Sequence, residues 1–154
     1  MTMIDALQID CVELTGPTSG QGVMHLTIYH AQPQGYLNGG ATLAFGEILS
    51  GMLSNQLIRD DQFAVGQSVT ANHMRPMKAE GNLIAKGQLL LQGKTSHVWR
   101  FDMYDDHNRH MTVIGRSLGG GQIMITEVDG NDMSITGDEF TLVVFHEDRP
   151  GAIS

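Results

Sequence analysis

At 154 residues, 41% hydrophobic and 17% charged, the chain has the composition of one globular domain with a sizeable core. No apolar run approaches the ~20 residues a membrane-spanning helix needs, and the first twenty residues hold no Lys or Arg, so neither a membrane anchor nor a secretory or transit peptide is expected. The single cysteine, Cys11, excludes an internal disulfide and points to the cytoplasm, while a net charge of −8 with no clustered basic face argues against a nucleic-acid partner.

The charge is uneven. Residues 1–118 carry ten acids and eight of the nine Lys/Arg, whereas 119–154 carry seven acids and only Arg149. This contrast, together with the glycine run at 119–121, predicts a near-neutral domain over 1–118. An acidic, partly ordered extension over 119–154 follows, in which "QIMITEV" and "EFTLVVFHED" each have strand character.

In chain order, "GVMHLTIYH" (22–30) alternates, with Met24, Leu26 and Ile28 on one side and His25, Thr27 and Tyr29 on the other, which predicts a half-buried strand. "AQPQGYLNGG" then reads as a loop. A helix is predicted from about Gly40 to Leu57, with Asn38 or Gly39 at its N-cap. Leu43, Phe45, Ile48, Leu49, Met52 and Leu53 leave it little polar surface, so something must wrap it. Its small residues, among them Ala41, Ala44, Gly46, Ser50, Gly51 and Ser54, would let a sheet or second helix come close.

Four further strands are predicted at 64–76, 82–92, 96–104 and 110–118, joined by turn-like stretches. In the second of them Leu83, Ala85, Leu89 and Leu91 share a face. One early strand, a buried helix and four consecutive strands make an α+β fold, with one helix against an antiparallel sheet of about five strands.

The chemistry centres on the helix. Glu47 is the only acid between Glu13 and Asp60. A carboxylate at the edge of an apolar cavity can serve as general base or nucleophile. Asn38, Gly39 and Gly40 begin the same helix, where unpaired N–H groups and the positive end of the macrodipole can stabilise an oxyanion. Gly39 and Glu47 are eight residues apart, about 12 Å along a straight helix. That is too far to flank one carbonyl, so the spacing favours a site assembled across a dimer interface.

His73 and Arg75 alternate on one predicted strand and could meet phosphate, as could Lys94 in its turn. The seven histidines form no H-x-x-x-H or H-E-x-x-H pattern, so neither a metal nor another cofactor is expected.

The order "NGG", then an acid seven residues after the second Gly, then "VGQSVTANHMRP" and "QGKTSHVW" resembles the hotdog-fold acyl-CoA thioesterases of the PaaI type, over roughly residues 20–118. The likeness is greatest to the branch acting on aromatic acyl-CoA esters such as 1,4-dihydroxy-2-naphthoyl-CoA. The resemblance implies a hotdog fold, with one long central helix wrapped by an antiparallel sheet, and hydrolysis of an acyl-CoA thioester bearing an aromatic or medium acyl group. It also implies a site at a dimer interface, with dimers commonly pairing into tetramers.

Residue by residue, the resemblance makes Glu47 the catalytic carboxylate, Gly39 the backbone oxyanion donor and Gln32 an orienting amide. It places Gly66, His73, Met74, Arg75 and Pro76 against the CoA ester, and Leu91, Gln92, Gly93, Lys94, Thr95 and Ser96 around its nucleotide end. Two positions depart from the pattern. Asn38 stands where the family usually has a His near the thioester, and Gly51 stands where this branch often has Ser or Thr. These departures keep open an acyl-CoA binding or sensing protein without turnover. A hydratase, which would pair an upstream His such as His25 or His30 with the acid, is a more distant alternative.

Overall fold

The structure, a computed structural model, describes residues 1–115 and, beyond them, the backbone of 116–118, 127–128, 131–132 and 142–147. A one-turn helix, α1 (Met3–Ala6), leads into the hairpin β1 (Ile9–Gly16) and β2 (Ser19–Leu26). The long helix α2 (Gly39–Asn55) follows, and then β3 (Gln62–His73), β4 (Gly81–Gln92), β5 (Ser96–Tyr104) and β6 (His110–Leu118). These six strands form one antiparallel sheet in the order β1-β2-β4-β5-β6-β3, curled around α2.

The helix forms where the sequence predicts it. Asn38 caps it, its Oδ1 accepting from the Gly40 N–H at 2.9 Å. One face buries Thr42, Phe45, Gly46, Leu49, Ser50, Leu53 and Ser54. The sheet lies close because glycines meet this face. A Cβ on Gly22 would stand 2.8 Å from Leu49, and one on Gly46 would stand 2.8 Å from Ile114. Phe45, Leu49 and Leu53 are fully buried, and each such side chain contributes about 1.5–3 kcal/mol. They pack with Met24, Leu83, Trp99, Phe101, Met103 and Ile114 of the sheet.

The opposite side of α2 is different. Leu43, Ala44, Glu47, Ile48, Gly51 and Met52 are only half-buried. The chain's own sheet covers one side of an almost wholly apolar helix and leaves this second side, with Glu47 in it, incompletely covered.

The expected helix and antiparallel sheet are observed, and two details differ. The sheet of about five strands has six before residue 119, because Ile9–Gly16 is also a strand. Its alternation breaks at Cys11, where φ is 54° and a bulge separates Asp10, opposite Val23, from Glu13, opposite Gln21. The strand predicted at 22–30 starts earlier and stops at Leu26. Residues Ile28–His30 form a 3₁₀ turn capped by Thr27, and Ile28 is exposed. The strands at 96–104 and 110–118 lie as predicted, and that at 64–76 is observed at 62–73.

Of the C-terminal stretches with strand character, Leu142–Glu147 forms β9, whereas 122–126 lies outside the described residues; β7 (Glu127–Val128) and β8 (Asn131–Asp132) pair as a short ribbon. Val144 of β9 is opposite both Ser96 and Val65. β9 therefore sits between β5 and β3, continuing the line of β6, whose Leu118 is opposite His97 and Gly66. Among the described residues, Val69–His73 of β3 pair on the β6 side alone, so this strand is an edge of the sheet.

A buried polar group pins the far end of α2. The Ser54 hydroxyl accepts from Trp99 Nε1 at 2.7 Å and lies 2.9 Å from His97 Nδ1. Burial holds the His97 imidazole down at about 4, against its ordinary 6.5. A depressed histidine favours the native state above its unfolded pKa and loses that advantage as pH falls toward the folded one. Between pH 7 and pH 5 this single group should therefore cost the native state about 2 kcal/mol. Denaturant melts at the two pH values should show that much less acid sensitivity in His97→Asn than in the wild type.

Candidate functional site

At the N-terminal end of α2 a cavity of about 380 Å³ opens between the helix, the preceding loop and the ends of β3 and β6. Six of the residues named from sequence line it: Gln32, Gly39, His73, Met74, Arg75 and Pro76. Thr42, Thr112 and the apolar groups of Tyr36, Leu37, Met77 and Met111 complete the wall, and no lining residue carries a carboxylate.

Local structure explains why these residues meet. Gly39 opens the helix, and its N–H has no acceptor among the described residues, as the geometry of a helix start allows. The loop is held by Gln32 N–H donating to Tyr36 O at 2.7 Å and Leu37 N–H donating to Met77 O at 2.8 Å. The Gln32 amide donates to Leu37 O at 3.3 Å, two residues before Gly39. His73 ends β3 opposite Thr112, and the Met74 N–H donates to Met111 O at 2.9 Å, so the strand pairing itself delivers 73–76 to the cavity.

Gly39 is glycine for a reason the sequence does not reveal. Its backbone has no positive φ. Instead a Cβ there would stand 2.9 Å from Nε2 of His73 and 3.4 Å from two carbons of the same ring. The imidazole ring occupies the space a side chain would take.

The other named residues lie elsewhere. Asn38 is turned away from the cavity, spends its side-chain oxygen on the helix cap, and borders a shallow depression with Met3, Leu7, Tyr29 and His30. Glu47 sits two turns further along α2 on the half-buried face, about 12 Å of helix from Gly39. Nothing lies within 4 Å of where a Cβ on Gly51 would be, so the turn beyond Glu47 opens onto free space.

Gly66 lies seven residues before His73 on β3, about 23 Å along an extended strand. It shares that end of the sheet with the β4–β5 turn at Leu91–Ser96, since Val144 is opposite Ser96 and Val143 opposite Gly66. The Gly93 N–H closes the turn by donating to Ser96 O at 2.7 Å. In one chain the candidate residues thus form two groups at opposite ends of β3, with Glu47 in neither.

The upstream histidines are used structurally. His30 is buried, its Nδ1 accepts from the Thr27 N–H at 3.0 Å, and its Nε2 donates to Leu7 O at 2.7 Å. His25 is bonded to Asn82 at 2.6 Å. Neither lines the cavity, which removes the support for a histidine–acid hydratase. No cluster of three or more potential metal ligands occurs among the described residues, and no helix in them is long and apolar enough to cross a membrane.

Sequence reasoning missed Thr112 and the apolar wall of Tyr36, Met77 and Met111. The only available signal was the register of a strand pair, which requires knowing that β3 and β6 are neighbours.

Comparison with known proteins gives a consistent picture. Residues 34–112 match the family model described as the thioesterase superfamily. The proofreading thioesterase EntH of Cronobacter turicensis is 32% identical over 108 residues, 70% of this chain and 77% of EntH. ComA2 of Bacillus subtilis is 34% identical over 111 residues, covering 70% of this chain and 85% of ComA2. Among solved structures, YhdA of Lactococcus lactis superposes with a TM-score of 0.77 at 34% identity, over 97% of this chain and 100% of YhdA. Escherichia coli PaaI shares the fold with a TM-score of 0.63 at 20% identity, over 72% of this chain and 78% of PaaI.

The Gly39–His73 contact yields a direct test. Gly39→Ala should keep the fold but push the imidazole off the helix start. The His73 side-chain nitrogen resonances should then shift well beyond those of His25 and His30; unmoved resonances would mean that the contact is not as described.

Proposed function

Because the chain belongs to the thioesterase superfamily and has the hotdog fold, we propose that it hydrolyses an acyl-CoA thioester, aromatic or of medium length, at a site shared by two copies of the chain. The observation that carries this reading is the carboxylate-free cavity headed by the Gly39 N–H, with the only carboxylate of α2, Glu47, held two turns away on an incompletely covered apolar face. A second copy lying on that face would bring its Glu47 to the first copy's Gly39. The edge of β3 at Val69–His73 offers the antiparallel seam for such a pair. The same twofold arrangement would bring Leu91–Ser96 and Gly66 of one chain toward 73–76 of the other, uniting the two groups of candidate CoA-binding residues.

The chemistry follows from these placements. The thioester carbonyl oxygen accepts from the Gly39 N–H, which strengthens the bond as negative charge develops on it. Glu47 takes a proton from a water as the water oxygen attacks the carbonyl carbon, or attacks that carbon itself. On the first route the tetrahedral adduct collapses with loss of the CoA thiolate, which the protonated carboxyl then neutralises. On the second, loss of the thiolate leaves a mixed anhydride, which water hydrolyses to the free acid and the Glu47 carboxylate, the water's proton neutralising the thiolate. Tyr36, Pro76, Met77 and Met111 give the acyl group an apolar wall, and Arg75 at the rim suits the anionic end of CoA. In this reading Asn38 caps the helix in place of the family's His, the enzyme is cytoplasmic, and 1–118 carry the activity with 119–154 as an acidic extension.

Thiol release from a panel of aryl-, fatty- and short-chain acyl-CoAs tests the proposal. Wild type should turn over at least one of these esters, and Glu47→Gln should lower kcat by about 10²–10⁴ with KM little changed. Tight ester binding without thiol release in the wild type would instead establish the non-catalytic binding protein. Equal rates in both proteins would remove Glu47 from the mechanism.

A further inference from the structure

We propose that His73 is a second oxyanion donor, its Nε2–H addressing the same thioester oxygen as the Gly39 N–H. This rests on the hydrolase reading above and adds a role for a residue that the resemblance assigns only to contact with the CoA ester. Three observations place the ring. The ring lies against Gly39 at Nε2, 2.9 Å from the position of a missing Cβ, so this nitrogen is close to the residue whose N–H is unsatisfied, and both residues line the cavity. On the other side of the ring, Nδ1 lies 3.3 Å from Oγ1 of Thr112, which is 4% exposed. With the Thr112 hydroxyl donating to Nδ1, the ring hydrogen sits on Nε2, the nitrogen nearest Gly39 in a residue that lines the cavity.

The third observation is rigidity. His73 is held by the β3–β6 ladder opposite Thr112, and the next peptide bonds to Met111. An oxyanion donor works by being fixed before charge develops, and a strand end supplies that better than a loop does. Arg75, two residues later and beyond the end of the strand, is left to meet the anionic part of the substrate. The histidine neither gains nor loses a proton in this role. It donates a hydrogen bond that shortens as the carbonyl oxygen becomes negative, and it returns to its starting state when the thiolate leaves. The arrangement also gives a chemical reason for glycine at position 39, since any side chain there would separate the two donors.

Steady-state kinetics on the best acyl-CoA ester, with wild type, His73→Leu, His73→Gln and Thr112→Val, tests this. His73→Leu should lower kcat about 10²–10³-fold while KM moves by no more than about threefold. His73→Gln keeps a neutral N–H donor and should recover at least about a tenth of the lost rate. Thr112→Val, which leaves the ring in place but frees its tautomer, should lower kcat by roughly tenfold. Circular dichroism and melting of each variant identify any loss due to unfolding, and Thr112→Val carries the test if His73→Leu does not fold. Unchanged kcat with a raised KM in His73→Leu would overturn the assignment and make His73 a binding residue. Equal impairment of the Leu and Gln variants would overturn it in favour of a space-filling role. Absence of hydrolysis by the wild type would overturn the functional reading itself, and this inference with it.

Discussion

An α-helix advances about 1.5 Å per residue, and that pitch governs what a single copy of this chain can do. Gly39 and Glu47 lie on one uninterrupted helix, so their separation is set by the backbone and no side-chain rotation closes it. Phe45, Leu49 and Leu53 are buried to the last atom against the sheet, and Gly46 rests on Ile114, so the helix cannot bend without opening the core. A reaction that needs a base within hydrogen-bond reach of a polarised carbonyl therefore cannot draw both groups from one chain. The fold is rigid where the chemistry would need it to give, and the resolution proposed here is duplication.

The same packing leaves a suitable surface for a second copy. The sheet covers one side of α2 and leaves Leu43, Ala44, Ile48 and Met52 half-exposed around Glu47. An apolar helix face of this kind is costly in water and favours association. The network of Ser54, His97 and Trp99 fixes the C-terminal end of the helix, and the Asn38 cap fixes its beginning. Between these two anchors the half-covered face is presented as a fixed surface. At its head the Gly39 N–H, the His73 ring and Thr112 form a polar corner of a cavity that also has an apolar wall of Leu37, Met77 and Met111.

Much of this was legible in the sequence, for identifiable reasons. The helix announced itself through "NGG" followed by an apolar run, and Glu47 stood out as the lone acid of a long stretch. The strands at 96–104 and 110–118 lie where they were expected. The strand at Ile9–Gly16 escaped notice because its bulge at Cys11 breaks the period of two on which strand recognition depends. Residues 28–30 alternate like a strand, yet Thr27 caps a 3₁₀ turn there and His30 is tied back to Thr27 and Leu7, which overrides the pattern. In the candidate site, the residues of one loop and one strand end could be grouped from their motifs. The contact of His73 with Gly39 could not, since it joins residues 34 positions apart through the pairing of β3 with β6.

The most direct test of a shared site is complementation between two defective chains. Glu47→Gln and Gly39→Val, each expressed alone, should be nearly inactive toward the acyl-CoA ester. Co-expressed or refolded together, half of the dimers should be mixed, and each mixed dimer should hold one intact site and one doubly defective site. The mixture should then recover about a quarter of wild-type activity, as follows from a twofold pair with both groups in trans. Activity that stays at the level of the separate variants, in a mixture shown to contain mixed dimers, would contradict the account and return both groups to one chain.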